Sequence, residues 1–113
     1  MALKRIILEM GAGNDLHGGD YTKAALRAVQ DALHHSSLSF IRALKLDIKK
    51  MQVAVTIGVQ DPAKVDAERV KASLPYGEVT VTVTKGGLDV PDEDGRDSAV
   101  IASAAIVVSF DLP

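Results

Sequence analysis

Residues 6–34 read IILEMGAGNDLHGGDYTKAALRAVQDALH, and three textures follow one another in that stretch. Ile6, Ile7 and Leu8 form a short apolar run that ends in Glu9-Met10-Gly11. Such a run suits a strand covered on both faces. Gly11 to Asp20 then places four glycines in ten residues. That density predicts a turn that uses positive φ angles or close backbone approach. Asp20 opens a helix as N-cap, because its carboxylate can accept the first free backbone N–H groups. Ala25, Leu26, Val29, Ala32 and Leu33 recur at helical spacing and form its apolar stripe, with Arg27, Gln30 and Asp31 on the wet side. Strand, glycine turn and helix together predict an α/β domain.

Further along the chain, His34-His35-Ser36-Ser37 ends the helix, and Leu38, Phe40, Ile41 and Leu44 suit a short helical turn or two. Val53, Val55, Ile57 and Val59 alternate with smaller or polar residues, which predicts a strand with one buried face. A second helix starts at the N-cap Asp66, with Val65 before the cap and Val70 beyond it as a hydrophobic staple. Leu74-Pro75-Tyr76-Gly77 ends it. Val79, Val81 and Val83 alternate with Thr80, Thr82 and Thr84, a β-branched strand of period two. Leu88 to Asp97 reads as an acidic loop. Ala99 to Phe110 reads as a long final strand, apolar on both faces through Val100, Ile106, Val108 and Phe110 on one side and Ile101, Ala105 and Val107 on the other. The order is β-α-β-α-β-β, a two-layer α/β (α+β) sandwich of three or four strands with two helices on one face. Residues 1–113 form one domain on grounds of size. The outer face of the last strand then needs a cover, and a second subunit in a homo-oligomer is the simplest one.

Composition narrows the function classes. Hydrophobic residues make up 47% of the 113, at the upper end for a soluble domain, in line with apolar surface shared between subunits. With no cysteine, disulfides, thiolate nucleophiles and cysteine zinc sites are excluded. No signal peptide pattern is present and apolar runs such as 100–108 fall short of a membrane span, so a cytoplasmic protein without membrane contact is expected. The formal charge is −2, from 13 basic and 15 acidic residues, with no basic stripe and few aromatic residues. Nucleic acid is therefore not an expected partner. A small-molecule ligand is.

The Gly11 to Asp20 turn is the strongest candidate site, since ligands of open α/β sheets bind beyond the carboxyl ends of strands. Gly11, Gly13, Asn14, Gly18, Gly19 and Asp20 would hold a ligand, with backbone N–H groups facing an anionic or carbonyl group. Asp15 and His17 would do acid–base or orienting work. Lys85, before Gly86-Gly87 at a strand end, could join them as a cation or a base. The alternative for each is geometric: glycine, Asn and Asp are ordinary turn residues, and Lys85 an ordinary surface lysine. Neither nucleotide fingerprint fits, because Leu16 stands where G-x-G-x-x-G needs glycine and no G-K-[ST] follows. Asp15, His17, His34 and His35 could supply oxygen and nitrogen ligands to a metal, but the set is loose, and of the adjacent His34 and His35 one at most would face such a site. The acidic loop fails as a calcium loop, with Val90 and Ile101 at its first and twelfth positions. The sequence leaves the cofactor, if there is one, unknown.

Gly11-Ala12-Gly13-Asn14-Asp15-Leu16-His17-Gly18 resembles the Lin family of conserved hypothetical proteins, marked by GxGxDxHG near the N-terminus. The likeness extends to Asp20–Ala25, His35-Ser36-Ser37, Val55–Val59 and Lys85-Gly86-Gly87. It implies no activity, but it raises the weight of the turn as a site. A second likeness, at the level of fold, is to single units of the cyanuric acid hydrolase and barbiturase family. That resemblance implies a serine and a lysine per unit, for which Lys85 and Ser98 would be counterparts. Three functions stay open: small-molecule binding at the turn, with or without catalysis; a non-catalytic oligomeric binding or regulatory module; and cyclic-amide hydrolysis.

Overall fold

The computed structural model describes residues 2–34 and 43–112. His35 and the expected helical turn at Leu38, Phe40 and Ile41 lie outside the described residues. The elements are β1 (Ala2–Asp15), α1 (Tyr21–His34), β2 (Gln52–Val59), α2 (Ala67–Ala72), β3 (Glu78–Lys85), β4 (Leu88–Pro91) and β5 (Ser98–Leu112), with 3-10 turns at Ile48–Lys50 and Pro62–Lys64.

The sheet has five strands in the order β1-β5-β2-β3, with β4 also paired to β5. That exceeds the three or four expected. β2 and β3 are parallel and joined through α2, while β5 runs antiparallel to β1, β2 and β4. The extra strand comes from the stretch read as an acidic loop. After Lys85 the chain crosses the end of β2, where Gly86 N–H donates to the Val59 carbonyl at 2.9 Å. Leu88 to Pro91 then pair with Ile101 to Ser98. Four residues ending in proline carry little strand signal by themselves, and pairing with the start of β5 makes them one. The acidic tip is a turn closed by Asp92 N–H on the Asp97 carbonyl at 2.9 Å.

Both helices cover one sheet face, as expected, and contact each other there. Their capping follows the sequence: Lys23 N–H donates to the Asp20 carboxylate at 3.0 Å, and Arg69 N–H to that of Asp66 at 3.3 Å. Ala24, Ala25, Ala28, Val29 and Ala32 of α1 are fully buried against Val53, Val55, Ile57 and Val59 of β2 and Val100, Ala102, Ala104, Ile106 and Val108 of β5. Val70 of α2 completes that core beside Val79.

The main departure is at β1. The strand does not stop at Gly11 but continues to Asp15, pairing with β5 down to Asp15–Val100, with a register shift at Ile6. Gly11 and Gly13 are thus strand residues that face α1, not turn residues. A Cβ on Gly11 would lie 2.4 Å from the Ala32 nitrogen, and one on Gly13 2.2 Å from the Ala28 nitrogen. Backbone of strand and backbone of helix touch there. Glycine on one side and alanine on the other are what allow that approach.

Candidate functional site

With the strand ending at Asp15, the turn shrinks to Leu16–Asp20. Gly18 and Gly19 take φ of 95° and 61°, the left-handed region that glycine enters without strain. The carboxylates around the turn are largely engaged by the chain's own donors. Asp15, 3% exposed, accepts the Asp20 N–H at 2.9 Å. Lys23 Nζ and the Arg27 guanidinium each stand 3.8 Å from its other oxygen. Arg27 also donates to the Asn14 carbonyl at 2.6 Å. Together these contacts fix the end of β1 to the first turns of α1, with negative charge at the helix N-terminus where the dipole favours it.

His17 points elsewhere. Its side chain is 86% exposed, and Nδ1 lies 3.8 Å from Asp97 at the base of the β4–β5 hairpin. Asp97 is the residue that sequence reasoning missed. Both of its carboxylate oxygens accept the Gly18 N–H, each at 3.1 Å, and one accepts Ser98 N–H at 2.8 Å. The N–H donors of Gly18 and Ser98 hold its carboxyl below the usual carboxylate range. Beside it, the Tyr21 hydroxyl donates to Asp89 of β4. That bond to a carboxylate, reinforced by burial and by the charges of Asp89 and Asp61, pushes the phenol up to about 12.

These contacts enclose a polar cleft of about 600 Å³, open to solvent, between the turn and the hairpin. Gly18, Gly19, Tyr21, Lys64, Asp89, Arg96, Asp97 and Ser98 line it. Asn14, Asp15 and His17 instead share a separate open depression of about 520 Å³ with Lys23 and Arg27. The candidate residues therefore separate. Gly18 and Gly19 reach the cleft, and Asp20 caps α1 beside it. Asp15, Asn14 and His17 line the separate depression, and Gly11 and Gly13 lie in the strand–helix contact.

Lys85 joins neither group. It pairs with Val59, on the helix-bearing face, whereas Ser103 pairs with Gly58, on the opposite face. Lys85 and Ser103, close along the strands, thus stand on opposite faces of the sheet. Ser98 lies in the cleft, but Lys85 is not among its lining residues. Among the described residues no three His, Asp or Glu side chains gather in a metal-binding group. No helix among them is long and apolar enough to cross a membrane. A second, apolar cleft of about 440 Å³ lies at the other end of the sheet, bordered by Glu9, Leu33, Met51, Leu74 and Tyr76, and shares no residue with the turn.

Comparison with known proteins agrees with this architecture and adds no activity. A family model described as Conserved hypothetical protein (Lin0512_fam) matches residues 5–108. A crystal structure of an FtsZ-like protein of unknown function from Nostoc punctiforme is 36% identical, with a TM-score of 0.87 over 99% of each chain. No curated protein matches.

Proposed function

This chain belongs to the family Conserved hypothetical protein (Lin0512_fam), and from its geometry we propose that it is a small-molecule-binding protein whose site is the cleft between the Leu16–Asp20 turn and the β4–β5 hairpin. The observation that carries this reading is the pair of hydrogen bonds from Gly18 N–H to Asp97, which join segments 79 residues apart. The contact prolongs the β1–β5 register beyond Asp15–Val100 and so holds the turn beside the hairpin. Two cations reach the same cleft from separate loops, Lys64 and Arg96. Each sits near a neighbouring carboxylate, Asp61 at 3.7 Å and Asp94 at 3.8 Å. Exposed pairs of this kind contribute about 0–1 kcal/mol, so either cation can turn to a ligand at small cost. Asp89 and Tyr21 add an acceptor and a phenol for a hydroxyl or amino group. The ligand class is thus a small polar compound with at least one anionic group.

Asp15 is committed to the Asp20 N–H and its two cations, and Lys85 is remote, so binding needs no catalytic role for either. Inorganic phosphate and citrate serve as probes in a thermal-shift titration. The expected result is a rise in melting temperature that is lost in the Lys64→Ala/Arg96→Ala double variant. No rise with either probe, or an equal rise in the double variant, contradicts the reading.

A further inference from the structure

We propose that the sheet face left uncovered by the helices is a dimer interface, on which a second copy of this chain packs sheet against sheet. Strand register defines that face. On β1 and β5 it pairs Leu8 with Val107 and Met10 with Ala105, and on β4 it pairs Leu88 with Ile101. Met10 is 68% exposed, Leu88 60%, and Leu8 and Val90 50% each. Large apolar side chains gathered on one face mark an interaction surface, whereas scattered ones do not.

Charge, area and shape point to a second copy as the occupant. Among the described residues, the charged side chains on this face, Arg5, Glu78 and Asp111, stand at one end of the sheet. The rest is uncharged: apolar, or the small and hydroxyl side chains of β2 and β3 such as Ala54, Thr56 and Thr82, with the amides Asn14 and Gln52 toward its ends. A face whose few charges are confined to one end offers little grip to a charged partner, and its uncharged part can meet itself across a two-fold axis. From the strand spacing and rise, the face measures roughly 700 Å² before side-chain relief is counted. A standard stable interface buries about 800 Å² per partner. The molecule is elongated, 57 × 22 × 18 Å, with a radius of gyration of 15.6 Å, against about 13 Å for a compact chain of this length. The same contact bears on the cleft, because β4 alternates: Leu88 and Val90 face outward while Asp89 points to Tyr21. A partner lying on Leu88 and Val90 clamps the strand that carries Asp89.

Light scattering behind size exclusion, at micromolar concentration, tests the proposal. The wild-type chain is expected at twice its 11.9 kDa mass, and Met10→Lys and Val107→Lys each at half the wild-type value with an unchanged circular-dichroism spectrum. Should either variant lose its fold, Leu88→Lys on the short strand β4 serves in its place. A wild-type mass of one chain overturns the proposal. So does a dimer that survives these folded variants, because the contact then runs through another surface, such as the free edge of β1.

Discussion

The glycines before Asp15 and the glycines after it are glycine for opposite reasons. Gly11 and Gly13 have ordinary strand angles and no room, since a methyl group on either would overlap the backbone of α1. Gly19 has open space around it and a backbone angle that other residues reach only under strain. One pair is demanded by packing, the other by chain reversal. Glycine density in a sequence therefore does not mark a site by itself. Here it marks a close strand–helix contact followed by a turn, and only the turn borders a cleft.

Substitutions can separate the two causes, and the largest effect is expected in the strand. Gly13→Ala must push α1 off the sheet, at a cost of about 3 kcal/mol, the upper end for overpacking. Urea denaturation should show it as a large fall in midpoint, and a change no greater than that of Gly19→Ala breaks the comparison. Next comes Asp15, at the boundary. Asp15→Ala leaves the part-buried Asp20 N–H without its protein acceptor, for about 1–2 kcal/mol. Asp15→Asn, which retains an accepting oxygen, should lose less by the same measurement. Gly19→Ala follows with about 1 kcal/mol, the cost of a left-handed angle without a clash. Its helical circular dichroism should be unaltered.

The smallest expected effect is electrostatic and confined to the cleft. Tyr21 should ionise near 12 in an absorbance titration, and Asp89→Asn should bring it back toward an ordinary tyrosine. The sign follows from the raised value. The neutral phenol is the favoured form in the folded protein, so its contribution is present below the unfolded tyrosine pKa and is lost as pH rises through about 12. Asp97 behaves in the opposite sense. Its lowered carboxyl contributes above the unfolded value and stops contributing as acid brings pH down through the folded one.

The elements with a regular period were legible in the sequence. The Val–Thr alternation of β3, the valines of β2 and the alanine-rich stripe of α1 each report a face directly, and Asp20 and Asp66 mark helix starts that the structure repeats. β1 and β4 were not. Gly11 and Gly13 look like strand breakers until the helix they touch is in place, and β4 is a strand only because β5 lies beside it. The site divided along the same line. The turn with Gly18 and Gly19 was visible locally. Its partners Asp89, Arg96 and Asp97 were hidden, because the hairpin that brings them there depended on the strand that was missed. Leu88-Asp89-Val90 does alternate, and that was the signal available.

The most direct test is an amide proton–nitrogen NMR titration of the full chain with inorganic phosphate and then citrate. Progressive shifts are expected at Gly18, Gly19, Arg96, Asp97 and Ser98, with Gly11 and Gly13 silent. Shifts centred on Gly11 and Gly13, or on the apolar cleft near Leu33 and Tyr76, would contradict the placement of the site between turn and hairpin.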